Sequence, residues 1–197
     1  MNPDALQKPP HHILLHEGIM DGPHVIKSQK TVGDLQHFFR DEAARSKADQ
    51  QQVLYRVQAH LPVAEGTPGG LYFGTTWIQP GTIGDEYFMT KGHFHKLADR
   101  GEYYWGLHGE GVLILMDEKR NFRGEYMYPG SMHYIPGHTA HRVANIGNTE
   151  LAFGACWPSD AGYNYEEILR NGFSCRLLKR DGKAQLIPYS SLNPVIL

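Results

Sequence analysis

Gly92-His93-Phe94-His95, followed by Glu102, is the stretch on which the reading of this chain turns. In extended backbone, residues i and i+2 share a face, so the imidazoles of His93 and His95 converge on one point. The interval to Glu102 leaves room for a turn and a return strand that brings a carboxylate beside them. Two imidazoles and a carboxylate form a set that suits Fe(II) and related divalent ions and leaves coordination positions open. A third imidazole is expected from His141. A single His-x-His on a strand is common without metal; what singles out this one is the downstream Glu102 and His141, the latter set between Pro136 and Asn145. The metal candidates are therefore His93, His95, Glu102 and His141, whereas His133 and His138 are read as packing or surface residues.

A site of this kind needs strands around it, and the flanking sequence supplies them. Val53 to Val57, Leu71 to Ile78, Gly111 to Met116, Met132 to Ile135 and Arg142 to Asn145 are short runs of strand-forming residues. Turn signals separate them at Pro68-Gly69-Gly70, Pro80-Gly81, Asp117 to Arg123, Pro129-Gly130 and Ile146-Gly147-Asn148. Many short strands so punctuated predict an all-β barrel or sandwich. Before them, Thr31 and Asp34 resemble a helix start, and Val32, Leu35, Phe38 and Phe39 form one apolar face, predicting a helix from Val32 to Ala48. A second helix is expected from Tyr165 to Arg170, stopped by Asn171-Gly172. Cys175 to Leu178 and Gln185 to Ile187 read as a hairpin turning at Asp181-Gly182. Residues 1–30 are broken by Pro3, Pro9, Pro10, Gly18, Gly22 and Pro23, and read as an irregular arm with one short strand near His12 to Leu15, packed on a neighbour. The division expected is an arm and helix over 1–52, a barrel with the metal site over 53–190, and a tail over 191–197.

Composition narrows the function. The 197 residues carry 19 basic and 21 acidic side chains, a formal net charge of −2, so no basic field exists for nucleic acid or an anionic membrane surface. With 22 glycines, 12 prolines and 11% aromatics the chain suits a turn-rich β protein. The opening MNPDALQKPPHH lacks the apolar stretch of a secretory signal, and no run is long enough to cross a bilayer. Cys156 and Cys175 make no Cys-x-x-Cys pair, and reduced thiols in the cytoplasm are expected.

The blocks His93-x-His95-x6-Glu102-x6-Gly109 and Gly130-x5-Pro136-x4-His141-x3-Asn145 resemble the paired motifs of the cupin family, with a longer His-to-Glu gap than most members show. That resemblance implies a double-stranded β-helix, or jelly-roll barrel, with the metal inside its wider end. More specific words lie around them: Tyr87 to His95, Gly101-Glu102-Tyr103-Tyr104, Ala140 to Gly147, and Pro158-Ser159-Asp160-Ala161-Gly162-Tyr163-Asn164-Tyr165. From about Trp77 to Phe173 these look like the cupin-type glucose-6-phosphate isomerases, the archaeal class also found in some bacteria.

The resemblance implies interconversion of glucose 6-phosphate and fructose 6-phosphate, a divalent metal (iron commonly favoured, with manganese, nickel or zinc as alternatives), and a homodimer. The family's phosphate contacts fall on Thr76, Thr90, Gly92 and Tyr104, two hydroxyls, a glycine amide and a phenol that can donate to phosphate oxygens. Hydrogen passes between C2 and C1 either through an enediol, with Glu102 the candidate base, or by direct hydride shift, with Glu102 a ligand alone; Tyr104 and Tyr163 are supporting catalytic groups. Lys91 and Arg142 are candidates for extra cations beside the phosphate, with solvated surface charges the preferred reading. Two positions depart from the family: Trp157 stands where tyrosine is usual and Tyr163 where histidine is usual, while Tyr165 matches. Trp157 can donate a hydrogen bond but cannot act as acid or base, and tyrosine titrates near 10 instead of near 6.5. Two other readings remain open on sequence: another metal-dependent cupin enzyme, such as an oxygenase or a different sugar-phosphate isomerase, and a non-catalytic sugar-binding cupin.

Overall fold

The computed structural model describes residues 8–192, so the first seven residues of the expected arm and the tail from 193 to 197 lie outside the described residues. In chain order its elements are β1 (His12–Leu14), β2 (Ile19–Asp21), β3 (Val25–Thr31), α1 (Glu42–Lys47), β4 (Val53–His60), β5 (Leu71–Ile78), β6 (Thr82–Ile83), β7 (Glu86–Tyr87), β8 (Glu102–His108), β9 (Gly111–Asp117), β10 (Phe122–Met127), β11 (Met132–Ile135), β12 (Thr139–Asn145), β13 (Leu151–Pro158), α2 (Glu166–Asn171), β14 (Cys175–Arg180) and β15 (Lys183–Pro188). Every strand pairing is antiparallel. A six-stranded sheet runs β11-β8-β13-β5-β4-β3, a three-stranded sheet β10-β9-β12, a four-stranded sheet β15-β14-β7-β6, and β1 pairs with β2. This is the all-β cupin architecture the sequence implied.

The sheets share one core. Leu54 of β4, Ile78 of β5 and Phe153 of β13 pack with Leu113 and Leu115 of β9 and Val143 of β12. The run Val112 to Met116 is apolar at every position because β9 is the middle strand of its sheet and is buried throughout. The closing hairpin turns as expected: Asp181 (φ 51°) and Gly182 (φ 72°) both take the left-handed conformation that a two-residue turn between twisted strands requires.

The helix expected over Val32 to Ala48 does not form as one piece. Thr31 and Asp34 do bond each other reciprocally, the Thr31 N–H donating to Asp34 Oδ2 at 2.8 Å and the Asp34 N–H to Thr31 Oγ1 at 3.4 Å, but only a short 3₁₀ turn over Gly33 to Leu35 follows. His37 sits at φ 68°, and side chains claim the backbone groups a helix would use. Glu42 accepts from the His37 N–H, Glu86 from the Arg40 N–H, and Arg176 donates to the Phe38 carbonyl. Helix α1 then restarts at Asp41, whose carboxylate caps the Ala44 N–H at 2.8 Å. Val32, Leu35, Phe38 and Phe39 are all buried, so the apolar pattern marked burial correctly and the element wrongly.

The arm also has more structure than expected. β3 pairs with β4 as the edge of the large sheet, and its one-residue register shift at Lys30/Thr31 and largely exposed side chains hide it from a periodicity reading. The arm packs on the chain's own sheet. Trp77 Nε1 donates to the Glu17 carbonyl at 2.8 Å, the Met20 N–H donates to Gln58 Oε1 at 2.8 Å, and Gly18 lies against Thr75 and Leu107.

Candidate metal centre

The His-x-His segment lies alongside β12, held by backbone bonds: the Thr90 N–H donates to the Val143 carbonyl (2.9 Å), and His93 and His141 exchange N–H···O=C bonds of 3.3 and 3.1 Å. It is not the regular strand that the sequence suggested. Bridges at Met89↔Ala144 and His93↔His141 advance four residues on one side and three on the other. The extra residue is accommodated at Gly92, which takes φ 72°, so this is a bulge that re-aims His93 toward the barrel interior. Glu102 opens β8 and His141 lies within β12, so three separate elements deliver the four side chains.

They meet. One ligand atom from each of His93, His95, Glu102 and His141 lies within 4.8 Å of the others. Glu102 Oε1 is 2.5 Å from His141 Nε2 and 3.5 Å from His95 Nε2. The shorter approach lacks the angles of a hydrogen bond, and His93 Nε2, His141 Nε2 and Glu102 Oε1 are all buried without a hydrogen-bond partner. Orphaned buried polar atoms cost roughly 1–3 kcal/mol each, and a cation at their common centre removes that cost. The opposite edges of two rings are fixed: His95 Nδ1 lies 2.7 Å from the Arg100 carbonyl and His141 Nδ1 3.2 Å from the Thr139 carbonyl. A carbonyl can only accept, so both rings carry their proton on Nδ1 and turn an Nε2 lone pair inward. Arg100 is itself clamped by Asp160, with Nε and Nη2 at 3.0 and 2.8 Å from its two oxygens. Three imidazole nitrogens and one carboxylate oxygen fit a first-row divalent ion.

Electrostatics agree with this arrangement. Burial, reinforced by His141 and His95, drives His93 well below the usual histidine value, so it is neutral. Burial alone would raise Glu102, but the flanking imidazoles overcome it and hold the carboxyl far below its usual range. Burial opposes protonation of His95 too, yet the adjacent Glu102 carboxylate raises it. Tyr104 is pushed well above the usual phenol value by burial and by the charge on Glu102. Burial and Tyr165 raise Tyr163 as well. Both phenols are therefore proton donors at neutral pH and not bases.

A cavity of about 520 Å³ opens onto the cluster. His93, Glu102 and His141 line it, and His95 sits behind them. Thr76, Thr90, Gly92 and Tyr104, from three stretches of sequence, line the same space, as do Trp157, Tyr163 and Tyr165. Tyr163 and Tyr165 are stacked at 5.7 Å and meet the His93 ring at 4.7 and 5.4 Å. His133 and His138 do not line the cavity; His133 bonds Ser131 and Glu125 instead. Sequence reasoning missed Tyr55, Val57 and Ala59, which line the opposite wall from β4; their i, i+2 spacing was the available signal. Of its two readings for Lys91 and Arg142, the preferred one, solvated surface charge, does not hold. Lys91 lines the cavity, 5.3 Å from the Phe38 ring, and Arg142 is buried at 3% exposure because β12 is covered on both faces.

A family model described as Glucose-6-phosphate isomerase (GPI) matches residues 29–190. The glucose-6-phosphate isomerase of Thermococcus kodakarensis is 36% identical over 88% of this chain and 90% of its own length. That of Thermococcus litoralis is 38% identical over 80% and 83%, and that of Sinorhizobium medicae 37% identical over 73% and 68%. Among solved structures, oxalate decarboxylase from Bacillus subtilis superposes with a TM-score of 0.43 at 20% identity, over 55% of this chain and 26% of that one, too partial a likeness to bear on function.

Proposed function

The chain belongs to the glucose-6-phosphate isomerase family and is an aldose–ketose isomerase, and from that premise we propose how its cavity interconverts glucose 6-phosphate and fructose 6-phosphate. The observation that carries the reading is the single cavity that joins the orphaned His93, Glu102 and His141 atoms to Thr76, Thr90, Gly92 and Tyr104. The first group suits the reacting C1–C2 end of the open-chain sugar and the second its phosphate. His93, His95, Glu102 and His141 would hold the divalent ion, Fe(II) in our reading. When bound, such an ion supplies Lewis acidity toward the sugar's carbonyl and hydroxyl oxygens.

The protein's own groups do the rest. Two carboxylates line the cavity, Glu65 and Glu102, and only Glu102 stands among the ligand imidazoles. In the enediol route, proton transfer between C2 and C1 therefore falls to Glu102; in a direct hydride shift Glu102 serves as a ligand alone. Its depressed basicity weakens it as a base, so the enediol route requires a carbon already acidified by the adjacent carbonyl. Tyr104, kept protonated, donates to the oxyanion or to a phosphate oxygen. Tyr163 and Trp157 donate hydrogen bonds where the family's more usual side chains could also exchange protons, so ring opening is expected to lean less on protein acid–base catalysis here.

The reading extends to assembly and location. Tyr103, Met132 and Tyr134 crowd the outer face of β8 and β11, with Met132 76% exposed and the two tyrosine rings 5.1 Å apart. We take this face to meet a second copy of the chain; sedimentation of Tyr134→Lys as a monomer is the expected result, and an unchanged dimer would refute it. No helix among the described residues is long and apolar enough to cross a membrane, and both cysteines are free, which supports a cytoplasmic protein. A coupled assay for conversion of fructose 6-phosphate to glucose 6-phosphate by metal-loaded protein tests the function. Run in deuterium oxide, it should incorporate deuterium at C1 or C2; turnover with no incorporation would remove Glu102 as an exchanging base and leave the isomerase reading standing.

A further inference from the structure

Among the described residues, Arg142 is a cation without an anion. Its guanidinium lies over the Phe173 ring at 4.2 Å, its Nη1 contacts Met89 Sδ at 3.1 Å, its Nη2 donates to the Lys91 carbonyl, and its Nε has no partner. The nearby buried carboxylate, Glu86, is taken by Arg176 at 3.1 Å and by the Arg40 N–H at 2.7 Å. Leaving a buried charge unpaired is costly, so such a group is retained where something else balances or uses it.

The use lies in the bond to Lys91. Lys91 and Gly92 line the cavity whereas Arg142 does not. A trans peptide is planar, with its C=O and N–H pointing opposite ways. Turning the Lys91 carbonyl back onto Arg142 therefore turns the Gly92 N–H forward, toward the cavity. The turn is pressed flat on the arginine: a Cβ at Gly92 would stand 2.9 Å from Arg142 Cβ and 2.8 Å from Phe173 Cε2. Thr90 is pinned beside it by its bonds with Val143.

We propose that Arg142 is a positioning residue for the phosphate end of the cavity, aiming the Gly92 amide through the Lys91 carbonyl and supplying from behind the positive charge that a bound phosphate balances. This rests on the phosphosugar reading above, which names Gly92 as a phosphate contact but gives Arg142 no positioning part.

The test separates the two. Lys91-Gly92 is the one Lys-Gly pair in the sequence, so labelling lysine carbonyls with ¹³C and glycine nitrogens with ¹⁵N isolates the Gly92 amide as a single resonance. In the Zn(II)-loaded wild type, titration with inorganic phosphate should move that resonance. In Arg142→Gln the shift should be lost, phosphate should bind roughly ten- to a hundredfold more weakly, and KM should rise by a similar factor, the loss expected of a charge-assisted hydrogen bond. Metal content and kcat should stay within about threefold, and Arg142→Lys should recover part of the KM. A variant that keeps its phosphate affinity, or that loses kcat with KM unchanged, overturns the proposal. If Arg142→Gln fails to fold, the wild-type titration decides: an amide that does not respond to phosphate overturns it. Absent turnover in the wild type would sink the isomerase reading, and it is measured independently of the resonance.

Discussion

Replacing Gly92 by alanine tests the site's construction at the point where fold and chemistry meet. The backbone there is at φ 72°, where a Cβ costs about 1–2 kcal/mol. The new methyl would lie 2.8 Å from Phe173 Cε2, 2.9 Å from Arg142 Cβ and 2.9 Å from the His141 carbonyl oxygen. The last of these is backbone, bonded to the His93 N–H, and cannot swing aside without parting two of the candidate metal ligands. Overpacking of this sort adds about 1–3 kcal/mol, giving roughly 2–5 kcal/mol in all. For a chain of this size that corresponds to a fall in Tm of about 4–20 °C. Gly130→Ala is the matched control, because Gly130 is also left-handed (φ 86°) yet has nothing within 4 Å of the added Cβ. Thermal unfolding followed by circular dichroism, with and without metal, should therefore show a larger loss for Gly92→Ala than for Gly130→Ala. The excess should be accompanied by weaker metal retention and a raised KM for fructose 6-phosphate. Equal losses in the two variants, with KM unchanged at 92, would refute the account of the bulge.

Other outcomes follow from the same geometry. Chelation should abolish turnover and Fe(II) or Mn(II) should restore it, and His141→Ala should lose its metal on dialysis, as read by elemental analysis; activity in demonstrably metal-free protein would contradict the centre. Thr90→Ser should keep a near-normal KM, while Thr90→Val should raise it and also destabilise by about 1–3 kcal/mol, because the Val143 N–H that now donates to Thr90 Oγ1 loses its acceptor. In metal-free protein His93 is lowered on folding, so the unfolded chain binds its proton first and stability falls as pH drops below about 6.5. Glu102, also lowered, adds a second loss below about 4.5. His95 is raised and works the other way, its contribution being full below about 6.5 and fading as pH rises through its folded value. Urea midpoints between pH 6 and 5, below the range in which His95 mainly varies, should therefore decline in metal-free wild type and flatten in His93→Gln; a midpoint that climbs on acidification across this interval would contradict the His93 assignment.

What could be read from the sequence and what could not divide along a physical line. The four ligand candidates were legible because metal binding fixes both residue type and spacing, and the strands β5 and β11 were bounded correctly because turn residues flank them. Failures came where a side chain distant in sequence supplies what local pattern cannot encode. The helix expected over Val32 to Ala48 has the apolar spacing of a helix, but Glu86 and Arg176, 46 and 138 residues from the groups they bind, take its backbone bonds. β3 was hidden because an edge strand with exposed side chains shows no alternation. Arg142 was misread for the same reason in reverse. On β12 it follows a ligand histidine, and in a strand with one face in water it would point outward, as its charge suggested. β12 is instead buried along its whole length, between β9 and the segment carrying His93. The residue next to a ligand thus points into a second buried compartment, where it meets the back of the turn that lines the cavity. A strand that places a candidate ligand on one face and a cation on the other sets the metal cluster and the Lys91-Gly92 turn one residue step apart, a property of β-geometry that becomes visible only once both faces are known to be covered.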